Sequence, residues 1–130
     1  MRSNTLAVRV YYEDTDFSGN VYHASYLKFF ERGRTEFLRE LGIHHSELVK
    51  EGIAFAVRSM QIDFLAAAHI DDLLAVTTMV ATATGARLTL DQAIACDDKA
   101  LTRATVEVVA IRSDGSATRL PAALRTALKS

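Results

Sequence analysis

Apolar residues follow two rhythms along this chain. From Ala7 to Glu13 they alternate, with Val8, Val10 and Tyr12 on one side and Arg9, Tyr11 and Glu13 on the other, which predicts a half-buried strand. After a polar turn from Asp14 to Asn20 the period lengthens. Tyr26, Phe30, Gly33, Phe37 and Leu41 recur at helical spacing, joined by Leu27, Phe29, Arg34 and Leu38, and Gly42 supplies a stop. The stretch SELVKEG predicts a short connecting helix with Ser46 as N-cap and Gly52 as terminator. The two-residue rhythm then returns in four runs: Ala54 to Ala67, Leu73 to Thr84, Arg87 to Cys96 and Leu101 to Arg112. Their breaks, at Asp71 and Asp72, at Gly85 and at Asp97 to Lys99, are too short for helical crossovers and favour antiparallel hairpins. Within the first run the apolar phase moves from Phe55 and Val57 to Met60, Ile62 and Phe64, a parity change that predicts a β-bulge. A turn at SDGS leads to Pro121 and a last helix ending near Leu128.

This order predicts an α+β domain over residues 1–130, an antiparallel sheet of about five strands with one long apolar helix. Hydrophobic residues make up 49% of the chain, enough for a core in one domain of 130 residues. One helix cannot cover both faces of such a sheet, so the expectation is a homo-oligomer, a dimer or a dimer of dimers. A formal net charge of -1 gives no global field for nucleic acid or anionic lipid, so any polyanion site must be local. The N-terminus becomes charged too early for a signal-peptide apolar region, and no stretch reaches transmembrane length. Together with a single cysteine, Cys96, this predicts an unprocessed cytoplasmic protein.

Chemistry concentrates where the first strand gives way to the long helix. Glu13, Asp14 and Asp16 crowd carboxylates there, Gly19 permits a tight turn, and the helix starts a few residues on. The first N–H groups of a helix are unpaired, so the region from Tyr22 to Ser25 is a candidate oxyanion site. Acyl transfer needs such donors together with a nucleophile or a base, and Asp16 supplies the carboxylate. The plainer alternative is that Asp14 and Asp16 only cap a turn.

The segment YYEDTDFSGNVYHASYLKFFERGRTEFLRELG closely resembles the 4-hydroxybenzoyl-CoA thioesterase family of hot-dog proteins, in particular its Tol-Pal-associated acyl-CoA thioesterase branch. Weaker likeness continues through AFAVRSMQIDF, the Asp71–Asp72 turn and RLP near the end. The resemblance implies a hot-dog fold, a sheet wrapped around its central helix, and hydrolysis of an acyl-CoA thioester in a site between subunits. It implies that Asp16 is the catalytic carboxylate, that His23 offers its backbone N–H to the thioester oxygen, and that the Tyr12 and His23 side chains belong to the active site. Taken from its strand alone, Tyr12 is equally a core residue. Where many relatives carry a small residue and a second glycine, this chain has Phe17, Ser18, Gly19 and Asn20, so Phe17 and Gly19 are expected to shape the acyl pocket. By position Arg87 and Arg119, with Arg58 as a third, are expected to hold the nucleotide of coenzyme A, whose phosphates suit the guanidinium fork. Coenzyme A is then part of the substrate, and no other cofactor is expected.

Other signals point nowhere new. His44 and His45 are adjacent and diverge, and His69 lacks a chelating companion, so no metal is expected. No GxSxG elbow or glycine-rich phosphate loop is present. Glu31 and Arg34 stand out among the helix charges as candidates for an interface or for support of the site. The rival readings are another thioester activity such as hydration, and a noncatalytic acyl-thioester-binding module associated with envelope or lipid-synthesis proteins. The second predicts binding without turnover.

Overall fold

The computed structural model describes residues 3–128. Strand β1 (Ser3–Arg9) leads through a 3-10 turn at Tyr12–Asp14 to the long helix α1 (His23–Glu40) and the short α2 (His45–Lys50). Strands β2 (Ile53–Phe64), β3 (Leu73–Ala83), β4 (Arg87–Cys96) and β5 (Lys99–Arg112) follow, then the two-residue β6 (Ala117–Thr118) and α3 (Ala122–Leu128). All pairings are antiparallel in the order β1-β3-β4-β5-β2, with β6 beside β5.

Alternation decides which face is buried. Leu74 and Val76 of β3, Leu88, Leu90 and Ile94 of β4, and Val106 and Val108 of β5 form an apolar floor under Tyr26, Phe29, Phe30, Phe37 and Leu38 of α1. Each such side chain contributes about 1.5–3 kcal/mol on burial, so the helix is held by its apolar stripe. Gly33 brings the helix close: a Cβ there would stand 2.8 Å from Val76 Cγ1. The opposite sheet face leaves Leu73 and Met79 exposed.

The predicted bulge is present, with register shifting between Val57 and Ser59 so that Arg58 is the extra residue. Gly42 ends α1 at φ +84°. Other boundaries move for local reasons. The first strand ends at Arg9 rather than Glu13, because Val10 pairs with the Asp71–Asp72 loop and the Asp14 carboxylate takes the Tyr11 amide at 2.8 Å, folding the chain into the 3-10 turn. Tyr12 is therefore not on a buried strand face; it is 81% exposed. Ser46 is not the cap of α2, which starts two residues earlier than such a cap implies, at His45 with His44 at the cap position. The last long hairpin is tighter than expected: Cys96 pairs with Lys99, and Asp97 and Asp98 both take positive φ, the pattern of a two-residue primed turn.

Candidate active site

The segment from Asp14 to Tyr22 folds back on itself as a small ladder. The Tyr22 amide donates to the Asp14 carbonyl (2.9 Å), Thr15 bridges Val21, and the Asp16 amide donates to the Asn20 carbonyl (3.0 Å). Gly19, at φ +83°, closes the turn by donating to the Asp16 carbonyl. A second loop braces it: Val21 donates to Ala68, Asn20 bridges His69, and Ile70 donates to Gly19. The ladder sets Asp16 opposite Asn20, three residues, or ~10 Å of extended chain, before His23 at the start of α1.

That start is open. Tyr22 occupies the cap position without a side-chain bond, and Ser25 donates back to its carbonyl at 2.8 Å. The His23 and Ala24 amides donate to no described group, which leaves two N–H groups at the positive end of an eighteen-residue helix. The Tyr26 hydroxyl, buried one turn later, accepts the Ala68 amide (2.9 Å) and locks this first turn to the bracing loop.

Asp16 itself is exposed. Its Oδ1 accepts both the Ser18 amide (2.8 Å) and the Ser18 hydroxyl, while Oδ2 has no partner among the described residues. The Ser18 hydroxyl first, and its amide second, hold the carboxyl below its ordinary value, so the group is a carboxylate with one oxygen free. Asp14 is different: it is buried and spends its Oδ2 on the Tyr11 amide, so it shapes the turn. Turn capping thus accounts for Asp14 and for only one oxygen of Asp16.

The other expected site residues divide into two groups. Tyr12, Phe17, Gly19 and His23 lie with Asp16 at one end of the sheet; Phe17 projects fully into solvent at the loop tip, and the His23 ring packs on Tyr22 at 4.4 Å. The arginines lie at the other end. Arg58 and Arg87 converge on Glu107, at 2.9 and 3.0 Å, leaving one net positive charge there. Arg119 lies over Gly85 in the β3–β4 turn, where any Cβ would collide with its guanidinium. With Arg125 it lines a cavity of about 320 Å³. Because β4 runs from Arg87 to Cys96, the two groups are separated by about 30 Å of strand.

Sequence reasoning missed Ser18, His69, Tyr26 as a tether, and Arg125. Ser18 was legible, since aspartate followed two residues later by serine is a side-chain turn signal. The contacts of His69 and Arg125 depend on long-range folding. Among the described residues no cluster of three metal-ligating side chains occurs, and no helix is long and apolar enough to cross a membrane.

Comparison with known proteins adds to this geometry. The profile of the thioesterase-like superfamily matches residues 10–128. The chain is 48% identical over 108 residues to the acyl-CoA thioesterase YbgC of Haemophilus influenzae, covering 82% of this chain and 79% of that protein. It is 44% identical over 105 residues to the acyl-CoA thioester hydrolase YbgC of Escherichia coli O157:H7, covering 80% and 78%. Among solved structures, a probable thioesterase from Bartonella henselae superposes with a TM-score of 0.88 at 43% identity, covering 92% of this chain and all of that one. A 4-hydroxybenzoyl-CoA thioesterase superposes with a TM-score of 0.90 at 20% identity, covering 98% and 99%, which bears on the fold alone.

Proposed function

The chain belongs to the thioesterase-like superfamily, and on that premise we propose that it is an acyl-CoA thioesterase using Asp16 and the start of α1. It cleaves an acyl-CoA with water to a free acid and coenzyme A. The observation that carries the assignment of residues is the pairing of one free carboxylate oxygen with two unpaired helix amides on a single braced loop. The His23 and Ala24 amides receive the carbonyl oxygen as it gains charge, and Oδ2 of Asp16 works on the carbonyl carbon. Asp16 acts by attack, through a mixed anhydride that water then opens, or by drawing a proton from water. The side chains of His23 and Tyr12 border the leaving thiolate, and Phe17 and Gly19 shape the entrance. No metal or redox group enters this scheme.

Arg58, Arg87 and Arg119 stand too far from Asp16 along one chain to hold the same coenzyme A. We therefore place them on a neighbouring copy, with the substrate lying between subunits. β2 supports such an arrangement, because it is a twelve-residue edge strand that exposes Val57 and Phe64 and offers its outer backbone groups for pairing. The half-exposed Cys96 thiol suits a reducing compartment, and we place the protein in the cytoplasm.

The test is release of free thiol from a panel running from short aliphatic to benzoyl-CoA, with wild type and Asp16→Ala. Turnover by wild type and its loss in the variant is the expected result. Equal rates in the two proteins would remove Asp16 from the mechanism, and tight binding without turnover would make the protein a carrier. A single turnover in heavy-oxygen water then reads the route: label in the Asp16 carboxylate marks attack, and its absence there marks proton transfer.

A further inference from the structure

The loop between β2 and β3 touches both halves of the site, and two side chains that the scheme above does not use hold it there. Its five consecutive amides from Ala68 to Asp72 all donate, although none lies in a helix or a named strand. Ala68 donates to the Tyr26 hydroxyl (2.9 Å) and His69 to Oδ2 of Asp72 (2.9 Å). Ile70 donates to the Gly19 carbonyl (3.0 Å), Asp71 to the Val10 carbonyl (3.1 Å) and Asp72 to the His69 carbonyl (3.1 Å). Three of these acceptors are backbone carbonyls, which almost any sequence supplies. The other two are side chains, so Tyr26 and Asp72 are where this sequence decides how the loop sits.

Each of the two closes a ring. The Ala68 carbonyl accepts the Val21 amide (2.9 Å) while the Ala68 amide reaches Tyr26, so one residue clasps both ends of the segment from Val21 to Tyr26. That segment contains the two unpaired amides, His23 and Ala24. The Tyr26 ring is buried and meets Phe64 edge-on at 5.5 Å, which fixes where its hydroxyl points. Burial first, and the nearby Asp72 carboxylate after it, raise the pKa of this hydroxyl against the effect of the Ala68 bond, so it stays neutral. On the other side, Asp72 closes the turn from His69 twice, through its carboxylate and through its own amide, and His69 Nδ1 stands 3.7 Å from the same Oδ2. This turn carries Ile70 to Gly19, whose amide in turn donates to the Asp16 carbonyl.

We propose that Tyr26 and Asp72 are positioning residues: the Tyr26 clasp aims the His23 and Ala24 amides, the Asp72 turn holds the Asp16 loop, and the segment they share fixes the spacing between donors and carboxylate. This rests on the thioesterase reading above. Both residues act through the groups they hold. The thioester carbonyl needs the donors and the carboxylate together only as its oxygen gains charge, so a loosened spacing costs the transition state more than it costs substrate binding.

The experiment measures kcat and KM separately for Tyr26→Phe, Asp72→Ala, Asp72→Asn and Asp71→Asn, on the acyl-CoA of the panel that wild type cleaves fastest. Tyr26→Phe and Asp72→Ala are expected to lower kcat about tenfold with KM within about twofold of wild type. Asp72→Asn keeps an oxygen that accepts the His69 amide and should recover most of kcat. Asp71→Asn makes the same change of charge one residue away, at φ +71°, which asparagine also adopts, and should match wild type. A raised KM at unchanged kcat, or an Asp72→Asn no better than Asp72→Ala, overturns the proposal. Amide hydrogen exchange separates it from the thioesterase reading. Tyr26→Phe should speed exchange at Val21 and Ala68, and Asp72→Ala at Asp16 and Ile70, each by about tenfold, with Leu90 and Val106 in the sheet unchanged. Those shifts without turnover by any of the proteins sink the thioesterase reading and leave the spacing device standing. Unchanged exchange in both variants sinks the device whatever the turnover. Tyr26→Phe removes a single oxygen and decides the matter even if Asp72→Ala does not fold.

Discussion

The same turn is built twice in this chain, and only one copy stands where it can do chemistry. In Asp16-Phe17-Ser18 and in Asp114-Gly115-Ser116 the aspartate Oδ1 accepts the serine amide, at 2.8 and 2.9 Å, and the serine hydroxyl as well. Both carboxyls are exposed, and both are held below their ordinary value, in each case by the serine hydroxyl first and its amide second. The surroundings differ. Asp114 caps the hairpin between β5 and β6, where Gly115 donates to Arg112 and Arg112 to Ser116, and α3 begins only at Ala122. Asp16 belongs to a loop whose next element is the unpaired start of α1. A lowered carboxyl pKa is therefore a property of the turn; the reaction proposed above draws on what the turn faces.

The largest effect that tests this contrast is loss of the carboxylate. Asp16→Ala is expected to lower kcat/KM for thioester hydrolysis by about 10³-fold, and Asp114→Ala to leave it unchanged, measured by thiol release. Next is the helix terminus. Tyr22 has φ -65° and ψ 135°, a conformation that a following proline accepts, and proline suits the first position of a helix. His23→Pro should thus keep α1 while deleting one donor, at about a 10²-fold loss in kcat, with His23→Ala costing less. Equal losses in the two variants would move the role from backbone to ring.

The two glycines offer a matched pair, at φ +83° and +85° with open space around both. Gly19→Ala and Gly115→Ala should each cost about 1 kcal/mol in denaturant unfolding, but only the first should lower activity as well. The smallest effect concerns pH. A depressed carboxyl stabilises the fold above its unfolded value, and that contribution is lost as pH falls through the folded one. Ser18→Ala should move the acid limb of the rate profile upward toward the ordinary aspartate value of 3.8, and Ser116→Ala should leave that limb in place.

Much of this arrangement was legible before folding, because it rests on periodicity and local turn chemistry. The rhythm change near residue 20, the bulge before Met60 and the Gly42 stop all emerge from side-chain spacing alone. Asp16 was legible as a carboxylate next to a helix start. Tyr12 was not, because alternation cannot reveal that the Asp14 carboxylate would seize the Tyr11 amide and turn the chain outward. The distance between Asp16 and Arg87 was equally hidden, since proximity to one substrate depends on how strands are ordered in the sheet. Gln92 reads as one polar residue in an apolar run; its bonds to Arg34 and the Phe30 carbonyl exist only once α1 lies over β4, and its bond to Thr78 only once β3 pairs with β4.

That separation of carboxylate and arginines has a genetic consequence under the two-copy arrangement. A subunit lacking Asp16 and a subunit lacking Arg58 and Arg87 fail for different reasons, so a mixed dimer of the two keeps one undamaged half-site on each side of the same substrate. Two inactive alleles expressed together would complement, whereas either alone would poison half the sites of the wild-type subunits with which it assembles.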